Sequence, residues 1–206
     1  MKGDFGNTPE TLAVNQETNS YLLRNGFNFG MNIKYAPFKD RRIKITGGIY
    51  YNALSRKRDY PDWEYPLNVE VNQRIFSISL GAELQYLTRV SRINPFASIE
   101  LTANFFSGSY MVNYYQRDPV SYTLNPAVRF GFQIGAGADF VLGQRLGLVA
   151  GFKYNFANVF GKNTIGGTGK EYGLNDKEGE VRGTKYLTKD IQFLQIYAGF
   201  SLFLGL

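Results

Sequence analysis

Residues 190–206, DIQFLQIYAGFSLFLGL, decide the fold. Leu194, Ile196, Ala198, Phe200, Leu202, Leu204 and Leu206 fall on one side of an extended chain, with Gln195, Tyr197, Gly199 and Ser201 on the other. A hydrophobic period of two belongs to the β-strand, whose successive side chains point to opposite faces. No helix would keep that set together.

Working back along the chain, the pattern recurs in residues 145–160, 128–142, 95–107, 75–88, 42–54 and 26–36. In 128–142, for example, Phe130, Phe132, Ile134, Ala136, Ala138 and Phe140 alternate with Arg129, Gly131, Gln133, Gly135, Gly137 and Asp139. Short links at 37–40, 89–94 and 143–144 close three hairpins, the first with the proline and aspartate of a tight reversal. Longer polar stretches at 55–73, 108–125 and 161–189 read as loops. The chain is therefore expected to be all-β, an antiparallel up-and-down barrel.

Alternation does not say which face meets the core, since a soluble lipocalin-like barrel alternates too. Four features favour a barrel whose apolar face meets lipid. The runs match or exceed the roughly 9 to 11 residues that cross a bilayer at a steep tilt. The other face is rich in glycine and small polar residues, as suits a crowded lumen. Phe38, Tyr86, Phe96, Phe106, Tyr154 and Phe156 lie toward strand ends, where interfacial girdles form. Short and long links alternate, as periplasmic turns and extracellular loops do. No run approaches the 18 or so apolar residues of a membrane helix, and the 206 residues make one domain without a linker.

Transmembrane barrels of this type have an even strand number and both termini on the turn side. Seven strands are visible, so an eight-stranded transmembrane barrel is expected, with its first strand apparently truncated. Residues 1–20, MKGDFGNTPETLAVNQETNS, lack the alternation and any apolar export signal, and read as a partial first strand or extracellular loop. Residues 21–206 then form the barrel domain.

In GFNFGMNIKYAPF, in the FGFQIGAGADFVLG hairpin and in the terminal YAGFSLFLGL, the chain resembles the small bacterial outer-membrane β-barrel proteins. These are typified by the OmpA and OmpX barrels and by the outer membrane beta-barrel domain proteins of Bacteroidetes and related phyla. The resemblance implies integral residence in the outer membrane, contact with its lipid and lipopolysaccharide, and handling by the barrel-insertion machinery. The chain departs in ending on Leu206, where an aromatic residue is usual.

A barrel of eight strands is just wide enough for its own side chains to fill. Lumen-facing Glu83, Glu100 and Asp139 are expected to pair with Lys34, Lys44, Arg129 and Lys153, because buried charges need partners. A polar pore through the same residues is the competing reading. The chain has no histidine and no cysteine, which removes the usual nucleophile pairs and N/S metal sites, and no catalytic, cofactor or metal residue is expected. Asp176, Glu178 and Glu180 offer oxygen ligands for calcium, but a solvated loop explains them more simply. GAGADF has the glycine spacing of a dinucleotide loop, yet no helix follows it.

Loop aromatics Trp63, Tyr65, Tyr114 and Tyr115 are candidate contacts for a protein partner. Lys39, Arg41, Arg42, Arg89, Arg92 and Arg145 crowd the short turns and make a basic periplasmic rim suited to anionic headgroups. Because they lie on separate hairpins, no nucleic-acid partner is expected. The function expected is non-enzymatic, structural or surface-interacting. The alternatives are a transport- or secretion-associated barrel, including a subunit of a larger complex, and a soluble ligand-binding barrel.

Overall fold

Each alternating segment becomes a strand in the computed structural model, which describes residues 25–38, 42–60, 67–86, 92–114, 118–143, 145–164, 170–181, 184–186, 188 and 190–204. The long strands are β1 (Asn25–Tyr35), β2 (Ile43–Tyr60), β3 (Leu67–Gln85), β4 (Ile93–Tyr114), β5 (Val120–Val141), β6 (Leu146–Phe160) and, after three short strands, β10 (Gln192–Leu204). The short ones are β7 (Glu171–Tyr172), β8 (Gly179–Val181) and β9 (Thr184–Tyr186). The ring runs β1-β2-β3-β4-β5-β6-β10 and back to β1. Consecutive long strands are antiparallel, and β1 and β10 close the ring in parallel. An odd number of up-and-down strands forces that result, because the first and last then point the same way. The eighth strand expected from the sequence is not among the described residues.

The β1–β2, β3–β4 and β5–β6 connections lie at one end of the ring, here the turn end, and the β2–β3, β4–β5 and β6–β10 connections lie at the other, the loop end. Two sequence expectations change. The stretches 55–73 and 108–125, read as loops, are largely strand: β2 runs to Tyr60, β3 starts at Leu67, β4 runs to Tyr114 and β5 starts at Val120. Ladder pairing holds SRKRDY extended despite its charge, with Lys57 opposite Glu70 and Asp59 opposite Asn68. The second change concerns Phe96 and Phe106, placed in a girdle by their position near strand ends. Both point inward and are buried, whereas Phe38 and Tyr86 are exposed.

A β-bulge explains why β5 looked shorter in sequence. Between Phe106 and Gly108 of β4, β5 carries one extra residue, at 125–126. The extra residue changes the parity of the strand. Leu124 above the bulge and Arg129 below it therefore both face inward and are buried. A second irregularity lies where β6 passes Phe130 and Phe132. Gly131 allows the close approach there, since a Cβ would stand 1.9 Å from the Phe156 carbonyl oxygen.

Candidate functional site

The inward faces of the seven strands meet in layers of polar and ionic contacts, which account for six of the seven charged residues singled out in the sequence. Nearest the turn end, Lys34 of β1 donates to both Asp139 oxygens at 3.0 Å and lies 2.7 Å from Glu83. Lys44 of β2 sits 3.5 Å from Asp139 and 4.0 Å from Glu83. Asp139, with 0% exposure, also accepts from Gln85 at 2.8 Å and Ser201 at 3.1 Å. The Lys34 ammonium lies 4.1 Å from the centre of the Phe96 ring, which explains that aromatic's inward turn. Two cations face two carboxylates, so the layer carries no net charge.

The middle layer centres on Glu100 of β4, which meets Lys153 of β6 at 2.7 Å. Glu100 also accepts from Ser79 and Gln133, each at 2.6 Å. Lys153 donates to the Tyr50 hydroxyl at 2.6 Å, and that hydroxyl donates to Asn32. Toward the loops, Asn28 donates to Asn52 at 2.8 Å, Gln195 donates to Asn52, and Ser77 donates to Asn104 at 2.6 Å. All seven long strands contribute to these contacts, and each ion has several hydrogen bonds, the condition under which a buried pair is tolerated.

The loop half of the interior is apolar instead. Leu54, Ile75, Phe106, Tyr110, Val112, Leu124, Ala157, Leu174, Ile191 and Phe193 form one buried cluster. Tyr110 and Tyr122 stack with ring centres 5.0 Å apart, so these two tyrosines from the former loop stretch are packing groups.

Arg129 joins none of the acids proposed for it. It forms a two-pronged pair with Asp176 from the long β6–β10 connection, Nε to Oδ2 at 2.9 Å and an Nη to Oδ1 at 2.8 Å. Asn158 donates to Asp176 at 2.9 Å, the Asn163 backbone N–H donates at 3.1 Å, and the Asn163 side chain accepts from Arg129 at 2.6 Å. The same Asn158 accepts from the backbone N–H of Ile191 at 2.6 Å, which ties the end of the connection to its start. Asp176 is 0% exposed, so it is not part of a solvated acidic run, while Glu178 is exposed. Gly161 and Asn175, both at positive φ, reverse the chain so that Leu174 and Asp176 point down the barrel mouth. Strand β7 pairs with β5 through Thr123 and Leu124 and anchors the same excursion. One signal in the sequence pointed this way: Leu174, an apolar side chain inside a glycine- and charge-rich segment.

Of the other candidates, Arg42, Arg92 and Arg145 are exposed at the turn end, and Lys39, Arg41 and Arg89 lie outside the described residues. Trp63, Tyr65 and Tyr115 also lie outside them, and Tyr114 is described only as the last residue of β4. Among the described residues no group of three or more acidic side chains is placed to hold a metal ion. No helix among them is long and apolar enough to cross a membrane, which leaves strand crossings open. Scans against family models, curated proteins and solved structures return no match to this chain.

Proposed function

We propose that this chain is a non-enzymatic integral barrel of the bacterial outer membrane that serves a structural or surface-interaction role through its loop end. The carrying observation is the inversion of the usual soluble arrangement. Outward faces hold Phe27, Phe29, Met31, Leu80, Leu101, Phe130, Phe152, Ile196 and Phe200, all exposed, while the turn half of the lumen holds paired ions and amides. A contiguous apolar surface of that kind is unfavourable in water and favourable against acyl chains. A soluble ligand-binding barrel would place its apolar face inside.

The loop end supports the interaction role. Strands β2 to β5 have 18 to 22 residues, about twice the 9 to 11 that cross a bilayer. The excess forms one sheet standing beyond the membrane, since β3 stays paired with β4 as far as Leu67 and Tyr114, and the edge of β2 beyond Ser55 is the backbone it offers a partner. At the turn end, Arg42 borders a groove with Leu84, Tyr86 and Pro95, an arrangement suited to a lipid headgroup and its chain.

The test is refolding into detergent micelles or lipid vesicles followed by electrophoresis with and without boiling. A faster band that disappears on boiling is expected. A chain that remains soluble and monodisperse without detergent overturns the membrane reading.

A further inference from the structure

Strands β3 and β4 exchange the polarity of their two faces part-way along. From Leu84 to Phe76 the outward residues of β3 are apolar and Ser77, Ser79 and Glu83 lie inside; beyond Phe76, Arg74 and Asn72 face out while Ile75 and Val71 pack inward. On β4, Leu101 and Phe105 face out with Asn104 inside, and then Ser107 and Ser109 face out with Phe106 and Tyr110 inside. The exchange falls on one ladder row, Tyr51–Phe76–Phe105–Val128, shared by β2 to β5.

Past that row the outward side chains are of one kind. Ser55, Asn72, Ser109 and Thr123 stand in direct register on four adjacent strands. Hydroxyl and amide groups thus repeat about every 4.8 Å across the sheet, close to the length of one pyranose unit. Between this row and the aromatic one lies Arg74, exposed, with Ala53 and Ser107 as its ladder neighbours. Glu70, the next acid along the outward face of β3, accepts from Asn72 at 3.0 Å and stands opposite Lys57.

We infer that this face binds the phosphorylated sugar headgroup of an outer-leaflet glycolipid, with Arg74 on a phosphate and the row from Ser55 to Thr123 on the sugar hydroxyls. The inference rests on the outer-membrane reading and names a partner for the loop end. Continuity selects the occupant. Acyl chains lying against Phe76, Leu80 and Leu101 bring the headgroup of the same molecule to the next outward positions, about 7 Å further along each strand. Charge agrees, because a guanidinium fork meets phosphate oxygens in two parallel hydrogen bonds. Hydroxyl and amide side chains both donate and accept, as sugar hydroxyls require. A polypeptide adding a strand would need a free backbone edge, and here β3 and β4 are paired on both sides.

The full chain is refolded in micelles and its retention of three lipids is measured by native mass spectrometry. The lipids are lipid A bearing its inner-core sugars, the same glycolipid after phosphatase treatment, and phosphatidylglycerol. The phosphorylated glycolipid is expected to bind about tenfold more tightly than either control, the size of one charge-assisted contact. Arg74→Gln should remove its advantage over the dephosphorylated form. The Ser55→Ala, Ser109→Ala double variant should weaken both glycolipids alike and leave phosphatidylglycerol unchanged. Equal retention of all three lipids by the parent chain overturns the inference. So does a loss with Arg145→Gln, at the turn end, as large as that with Arg74→Gln, which would mean a general attraction of anions. Heat-modifiable migration is scored on the same samples: a folded band without the preference defeats this inference alone, and a parent chain without that band defeats the membrane reading with it.

Discussion

At the scale of single residues, the Arg129–Asp176 pair is the contact on which the outer end depends most. Both members are buried, and Asp176 satisfies donors from Arg129, Asn158 and Asn163 at once. Asp176→Ala leaves a guanidinium buried without its counterion, and the expected loss is about 3–5 kcal/mol, read as a lower urea midpoint for the heat-modifiable band. The double variant Arg129→Met, Asp176→Leu should lose less than either single change, because it removes both desolvated charges together. A double loss equal to the sum of the singles would mean that the two side chains are not coupled. Glycines separate in the same assay. Gly131→Ala forces a Cβ against the Phe156 carbonyl and should prevent formation of the folded band, whereas Gly199→Ala, in open space, should leave it unchanged.

Among the elements, β4 and β5 show how one strand serves two environments. The outward side of β4 offers Leu101, exposed mid-strand. Leu101→Arg should cost about 2–4 kcal/mol when the protein is folded into vesicles, the depth-dependent cost of a cation on a lipid face. If the face is aqueous instead, vesicle folding yield and urea midpoint should both stay at the parent value. The bulge in β5 makes a different prediction. Deleting Asn125 removes the extra residue and restores strict alternation, with Leu124 still opposite Gly108 and still facing the interior cluster. The deletion should therefore cost less than Leu124→Ala, which empties a buried leucine site at about 2–5 kcal/mol, measured in the same urea series. Strand length belongs to this scale too. The outer parts of β2 and β3 were not legible in sequence because SRKRDY is polar on both faces, so alternation vanishes where lipid would no longer demand it. Their strand character comes from a ladder with a partner many residues away, which local pattern does not encode.

For the molecule as a whole, two neutral ionic layers, a set of amide contacts, an apolar cluster and the inserted loop with its Arg129–Asp176 pair fill the barrel interior. Such an interior should not conduct: planar-bilayer recordings of the refolded chain are expected to stay at baseline, and stable ion-conducting steps would favour the transport-associated alternative. What residues 25–206 determine unaided is the period, the turns and the choice of faces, because alternation and tight reversals are local consequences of pleating and turn chemistry. That is why seven strands, their hairpins and the inward placement of Lys34, Lys44, Glu83, Glu100, Arg129, Asp139 and Lys153 could be read residue by residue. Most partners of those charges could not: Lys44 and Glu83 stand opposite each other on consecutive strands, but the other pairs join segments that are not neighbours in sequence. Lys34 meets Asp139 across 105 positions of sequence, and Arg129 finds Asp176 only because a loop turns back at Gly161 and Asn175. The parallel seam belongs with these: a strand's own residues set its alternation, but the direction of its neighbour is decided only when an odd number of strands closes into a ring.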